Sequence, residues 1–128
     1  MAGSLTTVRS RLGTADRLIT DATTDLDGLW SRASAWMMRI ALEHAVRELW
    51  QTVSPGMTSV TARAQLLVLS RYIGEPMAGE ARLLWSQLSA ATHHHDYELA
   101  PAVQQLRRWQ ESSERIVAAI EAAVRARR

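Results

Sequence analysis

The sequence predicts an all-α fold, a bundle of about five helices. Three observations carry that expectation. Apolar residues recur at three- and four-residue steps along nearly the whole chain. No segment alternates in the two-residue period of a half-buried strand. The three prolines, Pro55, Pro76 and Pro101, fall where the periodic stretches stop or start.

Leu5, Val8, Leu12, Ala15 and Ile19 set a first amphipathic helix from about Ser4 to Ala22. Thr23-Thr24-Asp25 reads as a break with Asp25 as N-cap of a long second helix, about Leu26 to Val53. Its expected buried stripe is Leu29, Trp30, Ala33, Trp36, Met37, Ile40 and Ala41, wide enough for a central helix touched on several sides. Ser54-Pro55-Gly56 ends it. Thr58 or Ser59 is the expected cap of a third helix carrying Val60, Ala64, Leu67 and Val68. Gly74 stands where a left-handed C-terminal residue belongs, and Pro76 suits the first turn of a fourth helix with Met77, Ala81, Leu84, Leu88 and Ala91 in register. Pro101 opens a last helix whose stripe is Val103, Leu106, Trp109, Ile116, Val117, Ile120 and Val124, interrupted by Ser113.

At 128 residues the chain fits one domain spanning residues 1–128, and its 47% hydrophobic content is too high for a disordered polymer. No run of eighteen apolar residues exists, so no membrane span is expected, and without a signal pattern in Met1–Arg9 a cytoplasmic location is the expectation. The absence of cysteine excludes disulfides, thiolate metal sites and a cysteine nucleophile. Every basic side chain other than histidine is arginine, whose planar fork suits phosphate, but a net charge of +2 permits a nucleic-acid partner without requiring one.

The chemistry concentrates in His93-His94-His95-Asp96-Tyr97-Glu98; the only other histidine is His44. If the fourth helix runs on, His95 continues the stripe of Leu88 and Ala91 and faces inward or into a groove, while His93 and His94 lean to its flanks. Four readings stand. His95 is a satisfied core histidine with Tyr97 packed at the helix end. The cluster is a zinc site, although the i,i+4 histidine pair of metal-binding helices is missing. It belongs to a triad hydrolase, although no nucleophile elbow is present. Or it performs general acid–base cleavage of RNA, which needs imidazole near a ribose 2′-hydroxyl and a cation near the phosphate, without a metal or other cofactor.

Leu88-Ser-Ala-Ala-Thr-His-His-His-Asp-Tyr-Glu-Leu99, after a long penultimate helix, resembles the HEPN superfamily, including a bacterial subgroup with a similar histidine-rich stretch. The resemblance covers the whole chain in architecture, but in sequence it rests on this segment. HEPN ribonucleases carry an arginine, four to six intervening residues, then a histidine, often followed by x-Tyr. On that register His95 matches the histidine and Tyr97 the tyrosine. The resemblance implies a homodimer with two motifs facing one cleft, RNA as substrate, and a toxin or antiphage role, with an antitoxin or other defence-complex subunit as a possible partner. His95 is then the acid–base group, oriented by Tyr97 or Asp96, with His93 or His94 on the phosphate.

The motif arginine is missing. Ala90 stands there with four residues between, and Ser89 and Leu88 fill the longer spacings. A methyl group cannot stabilise a phosphorane, so this implies a non-catalytic member or a form whose arginine has been replaced. Arg39-Ile-Ala-Leu-Glu-His44 is a second literal match. A five-residue helical step separates its ends by roughly 140°, so Arg39 and His44 form a backup site only through a partner or a helix irregularity. The rival reading is a non-enzymatic helical interaction module, for which Trp30, Trp36, Trp50, Trp85 and Trp109 supply potential anchors.

Overall fold

The computed structural model describes residues 2–22, 29–93 and 100–127; these form six α-helices and no strand. The helices are α1 (Ala2–Ala22), α2 (Leu29–Val53), α3 (Ala62–Leu67), α4 (Ser70–Ile73), α5 (Glu75–Thr92) and α6 (Val103–Arg125), with a 3-10 turn at Pro55–Ser59. Helix α2 is central, packing on α1, α5 and α6 and touching α3. The all-α expectation holds, and the single third helix is in fact two short pieces, α3 and α4. Asp25 and the expected break around it lie outside the described residues.

Helices α1, α5 and α6 bury the faces their periodicity predicts. Leu5, Val8, Leu12, Ala15 and Ile19 line the core from α1, Ala81, Leu84 and Leu88 from α5, and Leu106, Ile116, Val117, Ile120 and Val124 from α6. Ser113 does not interrupt the α6 stripe, because its hydroxyl donates to the Trp109 carbonyl at 2.8 Å and so enters the core satisfied. Helix α6 starts at Val103, two residues after Pro101.

Helix α2 is rotated relative to the expected stripe. Trp30 and Trp36 face solvent, Trp36 at 48% exposure, and Ala33, Met37 and Ile40 are only half-buried. The buried face runs through Ala35, Met38, Ala41, Leu42, Ala45, Val46 and Leu49, one residue round the helix. The cause is the small residues: Ser34 and Ala35 let α1 approach closely, and Ser34 Oγ donates to the Ala15 carbonyl at 3.0 Å.

The third segment also differs. Thr58 and Ser59 do not cap α3; their hydroxyls bond back to the Pro55 and Gly56 carbonyls inside the 3-10 turn. Thr61 is the cap, accepting from Ala64 N at 3.2 Å. The helix therefore begins later and turns Gln65, Leu66 and Leu69 inward, leaving Val60, Leu67 and Val68 exposed. Gly74, at φ 83°, makes the junction to α5, with Pro76 in its first turn as expected.

The first and last helices are clasped by one arginine. Arg9 donates to Glu121 from Nε and Nη2, at 3.1 and 2.5 Å, and to Glu114 from Nη1 at 2.5 Å. The guanidinium pKa is raised, first by its hydrogen bond to Glu121.

Candidate functional site

Helix α5 ends at Thr92. His93 is its C-cap in extended backbone, φ −75° and ψ 127°, with its N–H donating to the Ala90 carbonyl at 3.3 Å. Extrapolating the α5 register to His95 is therefore not valid, because the helix stops before that residue. His94, His95, Asp96 and Tyr97 lie outside the described residues, whereas His93 is exposed.

The α5 C-terminus has no basic residue in its own last turn; helix α2 supplies the cations. Arg32 Nη1 donates to the carbonyls of Ala91 and His93, each at 3.4 Å, and Arg39 Nη1 donates to Thr92 Oγ1 at 3.2 Å. Positive charge at the negative end of a helix dipole, with Arg32 donating to two terminal carbonyls and Arg39 to the Thr92 hydroxyl, explains why two arginines of α2 lie along this edge. Sequence reasoning missed Arg32, since nothing in its local pattern links it to a residue sixty positions away.

Ala90 is exposed on the outer face of α5, in the wall of a groove of about 530 Å³ between α5 and the start of α6. Among the described residues the same groove holds the guanidiniums of Arg32 and Arg108, the amides of Gln87, Gln104 and Gln105, and Trp109. Trp109 Nε1 donates to Gln87 Oε1 at 3.1 Å, fixing both groups in the groove wall. The groove thus combines two cations and several amides over a largely buried Trp109.

The backup pair separates. Arg39 does not face away into solvent but turns to α5, bonding Thr92 and pairing with Glu43 at 3.6 Å; Glu43 Oε2 also accepts from Trp85 Nε1 at 2.7 Å. His44 is half-buried on the other side of α2, with its Nδ1 3.0 Å from Arg11 Nη1 of α1. Within one chain Arg39 and His44 form no common site. His44 instead lies with Arg11 and Arg47 in a cleft of about 500 Å³. Burial lowers its pKa first, then the Arg11 charge; Glu48 opposes this and Arg47 adds to it.

Among the described residues no group of three or more His, Cys, Asp or Glu is placed to hold a metal ion, and no helix is long and apolar enough to cross a membrane. Comparison with known protein families, with curated proteins and with solved structures finds no match to this chain.

Proposed function

We propose that this chain is an HEPN-like RNA-binding protein of the metal-independent ribonuclease type, acting as a two-fold dimer and catalytically weakened by Ala90. The observation that carries the reading is the setting of Ala90: exposed, in a groove that already holds Arg32 and Arg108, and one turn before the histidine run begins at His93. An arginine side chain at that position would enter the groove without displacing core atoms.

In the proposed chemistry His95 takes the 2′-hydroxyl proton, the oxygen attacks the adjacent phosphorus, and the 5′-oxygen leaves with a proton. The products are a 2′,3′-cyclic phosphate and a free 5′-hydroxyl. Tyr97 or Asp96 orients the imidazole, and His93 or His94 contacts phosphate. The cation that stabilises the phosphorane is what Ala90 omits, and one such group is typically worth about 10²–10³ in turnover.

The test is RNA cleavage in EDTA. Ala90→Arg raises the rate, and adding His95→Ala removes the gain, because the cation helps only when the proton moves. A silent Ala90→Arg protein that is folded and dimeric overturns the ribonuclease reading. The second reading, a helical interaction module, is favoured by one observation: Trp36 and Leu83 are exposed, Leu83 on the same face of α5 as Ala90. That reading stands if neither form cleaves RNA and Leu83→Glu releases a bound partner protein.

A further inference from the structure

The geometry points to a separate binding site for a small dianionic phosphomonoester in the cleft between α1, α2 and α3, with Arg11 and Arg47 as charge partners and His44 as a third contact that takes up a proton on binding.

Arg11 comes from α1, and His44 and Arg47 stand three residues apart on the facing side of α2, so three cationic or potentially cationic groups border one space. The other arginines that approach a carboxylate do so closely: Arg9, Arg39, Arg82, Arg107 and Arg115 each have one within 4 Å. Arg11 and Arg47 have none among the described residues. Glu43 also borders the cleft; its Oε2 accepts from Trp85 Nε1 at 2.7 Å and lies 3.6 Å from Arg39 Nε. Glu48, one turn beyond His44, pulls that imidazole's pKa up by less than Arg11 pulls it down. The only charged residue of α3, Arg63, lines a different hollow with Arg82 and Trp85. The cleft is therefore bordered by two guanidiniums that have no carboxylate within 4 Å among the described residues.

Its shape selects the ligand class. A space of about 500 Å³ exceeds what a bare inorganic ion fills, and Ile40 and Val60 give it an apolar wall. Gln65, buried beneath, donates its amide to the Val60 carbonyl at 3.0 Å and so holds that wall in place. The forked guanidiniums fit phosphate oxygens and the apolar wall takes an organic substituent.

His44 links this binding to pH. Arginine has only donors, so the contact from Arg11 Nη1 requires a lone pair on Nδ1, and the imidazole is neutral with its proton on Nε2. A dianion lodged between the two guanidiniums draws the Arg11 donor from Nδ1 to itself and reverses the local field, so Nδ1 takes a proton and the imidazolium becomes the favoured form. Binding then consumes a proton.

The probe is sulfate, which stays dianionic from about pH 5 to 8, so any pH dependence belongs to the protein. The His44 ring resonance, assigned by its loss in His44→Gln, is titrated with and without sulfate against chloride at equal ionic strength. Sulfate should raise the His44 midpoint, and its affinity should fall roughly tenfold as pH climbs through that midpoint, the equivalent of about one pKa unit. Arg47→Gln, at an exposed position that leaves the fold intact, should weaken sulfate binding at every pH, and His44→Gln should remove the pH dependence while retaining weaker binding. An unshifted midpoint at saturating sulfate, or an Arg47→Gln protein that binds sulfate like the parent, overturns the site. Competition by a nucleoside 5′-monophosphate supports the phosphomonoester assignment. Competition only by an oligonucleotide lacking a terminal phosphate overturns it in favour of backbone contact.

Discussion

Arg39 and His44 lie five residues apart on α2 and turn to opposite neighbours, Arg39 to Thr92 of α5 and His44 to Arg11 of α1. A linear pattern that suggests one site is thus divided by helical geometry between two. Each half finds a different partner: Arg39 joins the edge that ends α5, and His44 joins a cleft it shares with Arg47.

The rotation of the third segment gives the sharpest stability contrast. Leu66 is 3% exposed and its neighbour Leu67 59%. Leu66→Ala should cost about 2–5 kcal/mol, whereas Leu67→Ala should stay within about 0.5 kcal/mol. Urea denaturation midpoints check the pair. Equal losses at both positions would mean that α3 packs by another face.

Capping can be isolated at Thr61. Thr61→Ala should lower stability by about 1 kcal/mol, since the Ala64 N–H loses its side-chain acceptor. Ser59→Ala removes only an exposed bond within the 3-10 turn and should cost a few tenths at most. Thermal melts followed by circular dichroism compare the two.

Two glycines should respond in opposite directions. A methyl group on Gly74 would meet no atom within 4 Å, so Gly74→Ala is opposed by backbone conformation alone, at φ 83°, and should cost about 1–3 kcal/mol. Gly79 is inside α5, where a methyl group meets only the Arg82 and Glu75 side chains, at 3.7 and 3.8 Å. Gly79→Ala should add about 0.5–1 kcal/mol. Denaturant titration of both variants checks the signs.

Stability should depend on pH through His44. Its folded pKa lies below the ordinary 6.5, so the unfolded chain binds more protons between those two values. Stability from this group therefore rises with pH across that window, is complete above about 6.5 and is lost below the folded value. The ring is partly exposed, so solvent screening keeps the effect modest. The rise in Tm from pH 5 to pH 7.5 should be smaller in His44→Gln than in the parent; parallel curves would remove His44 from the explanation.

Whatever rests on large apolar residues at regular steps is legible in the sequence. The stripes of α1, α5 and α6 are of that kind. Helix α2 is not, because tryptophan outweighs alanine in any apolar count, while close contact with α1 selects Ser34 and Ala35 for their size. In the third segment three hydroxyl residues close together, Thr58, Ser59 and Thr61, all qualify as caps, and the 3-10 turn decides among them. At the candidate site, Ala90 is identifiable by its spacing from the histidines. Arg32 and the Arg11–His44 contact are not, since each joins side chains that are distant along the chain.

The Arg9 clasp on Glu114 and Glu121 has a consequence for synthesis. As the chain emerges from a ribosome, α1 and α2 can pair at once, being neighbours in sequence, but the apolar surface that α6 covers stays bare until α6 is made. Closure therefore waits on contacts more than a hundred residues apart in the chain, and the nascent α1–α2 pair is the species most exposed to aggregation or to capture by a chaperone.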